Sequence, residues 1–182
     1  MTTYIGLLRA VNLGAHNKIG MTELRELLTG LGMLDVQTLL QSGNVVFRSD
    51  IRSTSEAERL IESAAAQRLR LETDVLVRSG KEWTGIIAGN PFPKEAKRDP
   101  SHLLAVTLKN APTRANVAAL QDAITGREIA SVQGRCAYIV YPDGIGRSRL
   151  TSAVIEKTLA TRGTGRNWNT VLKLAALAVA TR

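Results

Sequence analysis

The same succession of hydrophobic periods occurs twice along this chain, and that recurrence restricts the fold more than any single motif. Residues 3–11 form a continuous apolar run with β-branched members, the pattern of a buried strand. After a loop at 12–18, Met21, Leu24, Leu27, Leu28 and Leu31 recur at helical spacing, and Gly30 and Gly32 supply a stop. Residues 36–40 and 44–48 read as short strands about the tight turn Gln41-Ser42-Gly43-Asn44. Ser53 and Glu56 have capping-box spacing ahead of a helix face made by Leu60, Ile61, Ala64, Ala65 and Leu69. Residues 74–78 return as a strand.

The second succession starts with a strand at 103–108. A helix follows Pro112-Thr113, marked by Val117, Leu120 and Ile124. Strands at 128–132 and 136–141 pair about Gln133-Gly134, Pro142-Asp143-Gly144 turns the chain, and a helix at 148–159 closes the unit without a final strand. An apolar helix at 168–180 is left over. Between the two successions, Ser79 and Glu82 cap a short helix carrying Trp83, Ile86 and Ile87. Asn90-Pro91-Phe92-Pro93 ends it, and a charged stretch up to Pro100 reads as a linker. The order βαββαβ is the ferredoxin-like plan. The expected architecture is therefore α+β: two tandem ferredoxin-like halves with antiparallel sheets, plus a C-terminal helix. The expected boundaries are 1–80, a short helix and linker at 81–100, and 101–182.

Hydrophobic residues at 44% and charged residues at 22% belong to a globular chain, and 4% aromatics require an aliphatic core. The single cysteine, Cys136, excludes an intramolecular disulfide framework and a cysteine-cluster metal site. His16 and His102 sit in no metal-ligand pattern, and neither a G-x-S-x-G elbow nor a Walker A loop occurs, so no catalytic constellation is recognisable, any catalytic residues stay unassigned, and no metal or cofactor is expected. The N-terminus lacks a basic leader, and Lys173 interrupts the longest apolar stretch. The expectation is a cytoplasmic chain without a membrane partner.

Charge points to a partner class. The chain carries 24 Lys and Arg against 16 Asp and Glu, a formal +8. From Gly144 onward seven basic residues face Glu156 alone, a local +6. Arginine outnumbers lysine 17 to 7, and its planar fork suits phosphate and carboxylate. An anionic partner, a phosphorylated ligand or nucleic acid, follows from that asymmetry, as does the plainer alternative of colloidal solubility.

Two polar segments stand at exacting positions. Gly144, Ile145, Gly146, Arg147 and Ser148 join a strand to a helix: the glycines let backbone approach an anion, Gly144 and Gly146 offer N–H groups, and Arg147 adds charge. The same residues also make a plain turn with Ser148 as N-cap. Arg166, Asn167 and Asn169 surround Trp168 directly before the apolar helix. They read either as phosphate and base contacts with Trp168 stacking, or as a helix cap with Trp168 buried. Lys18, with Asn12, Gln41, Ser42 and Asn44 as secondary candidates, belongs to the first half. Chain direction places the 12–18 loop and the Gln41–Asn44 hairpin at one end of that half. In the second half it sets Gly144–Ser148 opposite the Gln133-Gly134 hairpin. A helix of about 12 residues rises ~18 Å and returns Arg166 to the hairpin end, away from Arg147, unless the chain doubles back after Gly163; two sites or one extended surface are expected.

Several of these segments together resemble a known family. Leu7-Leu8-Arg9-Ala10-Val11-Asn12-Leu13-Gly14, Asn17-Lys18-Ile19, Met21, Leu24-Arg25 and Gln41-Ser42-Gly43-Asn44-Val45-Val46-Phe47 are similar to the bacterial family named domain of unknown function 1697. Asn90-Pro91-Phe92-Pro93, Tyr141-Pro142-Asp143-Gly144-Ile145-Gly146-Arg147-Ser148 and Arg166-Asn167-Trp168-Asn169-Thr170 extend the resemblance in order to the C-terminal region. Ala10 and Ala15 depart from it, each standing where a glycine is expected. The resemblance implies a cytosolic bacterial α+β protein of two ferredoxin-like halves, and it carries no activity or catalytic residues. The functional expectation is a protein that binds an anionic ligand, nucleotide or nucleic acid, through basic loops. The alternatives are an enzyme acting on a phosphorylated small molecule and a structural homodimeric module.

Overall fold

The structure is a computed structural model, and it describes residues 1–13 and 17–181. The chain forms two compact units, Met1–Gly85 with Lys173–Arg182, and Ile86–Leu172. The first contains strands β1 (Thr2–Leu8), β2 (Leu34–Leu39), β3 (Asn44–Ser49) and β4 (Val75–Ser79), with helices α1 (Met21–Thr29) and α2 (Thr54–Leu69). Helix α3 (Gly80–Ala88) and the short α4 (Pro93–Arg98) follow; the stretch read as a charged linker is thus partly helical, with Pro93 in the first turn. The second unit holds β5 (Leu103–Leu108), α5 (Arg114–Asp122), β6 (Ile129–Gln133), β7 (Cys136–Val140), α6 (Ser152–Leu159) and β8 (Gly163–Asn167). Helix α7 (Trp168–Ala180) ends the chain.

Each sheet is antiparallel with four strands, in the order β2-β3-β1-β4 and β6-β7-β5-β8. These are the same arrangement, and both halves are ferredoxin-like. The second half therefore does have a closing strand, β8, which the hydrophobic pattern does not announce. Its registers repeat those of the first half: Leu8 faces Val75 and Ile5 faces Arg78 in one sheet, while Leu108 faces Gly163 and Ala105 faces Arg166 in the other.

Alternation along the strands builds the cores. In the first unit Tyr4, Leu8, Val45, Phe47, Val75 and Val77 pack against Leu24, Leu28 and Ile61 of the helices, all buried. The Tyr4 and Phe47 rings stack with centroids 5.6 Å apart. In the second, Val106, Leu108, Ala137 and Ile139 meet Leu120, Ile155 and Leu159. Burying one such aliphatic side chain contributes about 1.5–3 kcal/mol. Local chemistry fixes the helix starts: Ser53 accepts the Glu56 N–H, and Thr113 and Asn116 form a reciprocal box.

The outermost strands β4 and β8 are closed by carboxylates. Glu62 and Glu58 on α2 accept the Val75 and Val77 N–H groups at 2.8 and 2.9 Å. Glu156 on α6 accepts the Gly163 N–H at 2.9 Å.

Candidate functional site

A candidate site lies where β7 leaves its sheet. Tyr141 extends the strand by donating its N–H to His102 O at 2.8 Å. Its buried hydroxyl donates to Leu150 O at 2.9 Å, which pins the loop between them, and burial pushes the phenol up to about 12. Inside that loop Gly144 takes φ +87°, a conformation that excludes ordinary side chains, and a single 3-10 turn spans Ile145–Arg147. The Ser148 hydroxyl donates to Glu128 Oε1 and accepts the Leu150 N–H at 2.9 Å. That hydroxyl, with the backbone N–H groups of Glu128 and Gly126, holds the Glu128 carboxyl below the usual carboxylate range.

These contacts frame a cleft of about 260 Å³ lined by Arg127, Glu128, Tyr141, Asp143, Gly144, Arg147, Ser148 and Arg149. The Arg127 guanidinium is paired with Asp143 at 2.9 Å. Arg147 and Arg149 are exposed, and neither makes an ion pair or side-chain hydrogen bond among the described residues. Three guanidinium groups against two carboxylates leave the lining at +1. Within it the Ser148 hydroxyl is, among the described residues, the one nucleophile-type group hydrogen-bonded to a carboxylate, Glu128.

Some expectations for this loop change. The Gly144 N–H, expected to be an anion donor, is donated to Tyr141 O at 3.0 Å, and the Arg147 and Ser148 N–H groups close the turn on Gly144 O and Ile145 O. Nor is Ser148 an N-cap: α6 begins four residues later, capped by Thr151 accepting the Val154 N–H. Gly146 is exposed at the tip of the turn.

Arg166 and Asn167 lie in β8, antiparallel to β5, with Asn167 opposite Leu104 and Arg166 opposite Ala105. Residues 141–148 also follow from the β5 N-terminal end, because Val140 faces Leu103. The expected separation of Arg166 to the hairpin end is therefore wrong, since β8 carries the chain back. Gly144–Ser148 does lie opposite the Gln133-Gly134 hairpin, as Gln133 faces Cys136 at the other end of β7. Arg166 is nevertheless not in the cleft lining: it is buried, donating to Thr164 Oγ1 at 2.8 Å and Gly165 O at 2.9 Å, and burial pulls its guanidinium down to about 10. Asn167 caps α7 by accepting the Thr170 N–H at 3.0 Å, while Asn169 is exposed. Trp168 is 4% exposed, its ring centroid 6.4 Å from that of Tyr138.

In the first unit the structure brings the secondary candidates together at one end of the sheet. Asn12 Nδ2 donates to Gln41 O at 2.6 Å and to Ile19 O at 3.0 Å, and its Oδ1 accepts the Ile19 N–H. Asn44, fully buried, donates to Leu39 O and to Ser42 Oγ. These amides hold backbone in place. Lys18 is exposed, and Gly14, Ala15 and His16 lie outside the described residues.

Sequence reasoning missed Arg127, Glu128, Asp143 and Arg149. The signal was available in the hairpin register: once Ile129 faces Val140, the preceding pair stands beside Tyr141. Among the described residues no group of three or more His, Cys, Asp or Glu side chains is placed to hold a metal ion, and no helix is long and apolar enough to cross a membrane.

Comparison with known proteins agrees with this architecture. The conserved bacterial protein SP0830 from Streptococcus pneumoniae has a similar structure, with a TM-score of 0.76 at 22% identity, covering 97% of this chain and 98% of that one. No curated protein matches the chain. Residues 1–138 match the family described as Protein of unknown function (DUF1697), a match that stops just before the cleft loop. With three quarters of its length matched and its fold shared with a conserved bacterial protein, the chain belongs to the DUF1697 family.

Proposed function

We propose that this chain binds a phosphate-bearing anionic ligand, the chemistry that nucleotides and nucleic acids share, in the cleft at Arg147 and Arg149. One observation carries the reading: two exposed guanidinium groups without partners among the described residues line the same cleft. Unpaired arginines lining one cleft repel each other, and an anion relieves that repulsion while taking up their forked donors. The surrounding unit adds a long-range field, with twelve basic residues against six acidic between Ile86 and Leu172, a net +6.

The test is calorimetric titration with adenosine monophosphate and with a single-stranded oligonucleotide at two salt concentrations, on the native chain and on Arg147→Ala/Arg149→Ala. Each charge-assisted hydrogen bond removed costs ~1.5–3 kcal/mol, so affinity for the bound probe falls at least about tenfold in the double variant and weakens as salt rises. Binding that ignores both the substitutions and the salt would refute the assignment.

A further inference from the structure

Resting on the anion reading of this cleft, we infer that its occupant is a compact phosphomonoester bearing free hydroxyl groups, a sugar phosphate or a nucleoside monophosphate, and not a strand of nucleic acid. Three features of the lining lead there. First, the N–H groups of Gly144, Arg147 and Ser148 in the lining are spent inside the turn, and the two free forks of Arg147 and Arg149 are the chief charged donors left to an anion. Two forks that each take a pair of oxygens need a group with three terminal oxygens, whose edges can be shared. A phosphomonoester has three; a backbone phosphodiester offers two non-bridging oxygens, one edge only.

Second, the lining carries acid as well as base. Glu128 is ionised and tied to Ser148, and Asp143 uses one oxygen on Arg127 while the other has no donor among the described residues. A stacked strand carries one phosphate charge per ~3.4 Å of its axis, and a run of them through this cleft would set phosphates against those carboxylates. A single phosphate at the arginine side leaves the acidic side for hydroxyl donors, which Asp143 and the Ser148 oxygen are able to accept. Third, about 260 Å³ is below the ~300–1,000 Å³ typical of clefts that enclose drug-sized ligands. It is of a size for a phosphorylated monosaccharide.

The experiment titrates the full chain with inorganic phosphate, ribose 5-phosphate, adenosine monophosphate and an oligothymidylate lacking terminal phosphates. Ribose 5-phosphate is expected to bind at least about tenfold more tightly than inorganic phosphate. In Asp143→Asn that preference shrinks at least about threefold, with an unchanged melting temperature showing that the fold is intact; Glu128→Gln gives a second, independent reading of the same ratio. Equal binding of ribose 5-phosphate and adenosine monophosphate assigns the sugar phosphate as the recognised body, and a further tenfold for the nucleotide assigns the nucleoside source. Phosphate binding that depends on Arg147 and Arg149 without any gain from the sugar overturns the inference and leaves the anion site standing. Tighter binding of the oligothymidylate than of ribose 5-phosphate overturns it as well. No binding of any probe removes the anion reading itself, and the inference with it.

Discussion

Gly43 turns the β2–β3 hairpin, and replacing it with alanine separates two physical effects that usually travel together. Its φ is +74°, and its carbonyl accepts the Leu8 N–H at 2.8 Å, which draws the turn onto the end of β1. An added Cβ would stand 2.7 Å from Val11 Cγ2 and 2.8 Å from Leu8 Cβ. Left-handed backbone costs an L-residue ~1–2 kcal/mol, and forcing a methyl into packed surroundings costs a further ~1–3 kcal/mol. The lost freedom of the unfolded chain returns ~0.4–1 kcal/mol. The net expectation for Gly43→Ala is a loss of ~1–5 kcal/mol. Gly32 provides the control within the same unit, since its φ is +79° and an added Cβ meets nothing within 4 Å. Gly32→Ala therefore loses only about 1 kcal/mol. Urea unfolding followed by far-ultraviolet circular dichroism reads the difference, with a slope of ~1–3 kcal/mol per molar urea giving midpoints ~1 M apart. Equal midpoints for the two variants would show that Leu8 and Val11 yield freely, and the close-approach argument would be wrong.

Three further outcomes follow from single positions. Ala10 and Ala160 are exposed and hold φ +52° and +51°, so Ala10→Gly and Ala160→Gly each raise stability, by up to ~1 kcal/mol, in the same urea assay; a loss at either would contradict the backbone conformation given for it. Trp168→Ala removes a buried ring packed beside Tyr138 and costs ~3–5 kcal/mol, whereas a near-neutral variant would mean the ring contributes little to the core. Tyr141 has a folded pKa raised from 10 to about 12, so its contribution to stability is complete below pH 10 and is lost as pH rises through 12. The alkaline fall in midpoint between pH 10 and 12 becomes shallower in Tyr141→Phe, and an unchanged slope would place the titrating group elsewhere.

Much of the architecture was legible because its punctuation is local. The Gln41–Asn44 and Gln133-Gly134 turns need left-handed backbone, and Gly43 and Gly134 supply it at φ +74° and +54°. Strand β8 was not legible. Its sequence, Gly-Thr-Gly-Arg-Asn, lacks the apolar alternation of a strand, because Gly163 and Gly165 leave room for the central strand's own bulk: a Cβ there would lie 3.0 Å from Leu108 Cδ2 and 2.7 Å from Leu104 Cδ2. The start of α6 was misplaced for a tertiary reason. Ser148 and Thr151 both satisfy the local capping rule, and the bond from Ser148 to Glu128, 20 residues earlier, commits Ser148 elsewhere. Arg147 was found by its glycine neighbours, while Arg127 and Glu128 required the strand register, and the burial of Arg166 required a strand that the hydrophobic pattern concealed.

Carboxylates seated on the amides of β4 and β8 also bear on how such a chain survives at high concentration. Antiparallel sheets polymerise by offering vacant main-chain donors to a newcomer, and Glu58, Glu62 and Glu156 occupy donors at the outer margin of both sheets. Along that margin neither sheet offers those amides to a further strand. The same occupancy denies a foothold to strands exchanged between molecules.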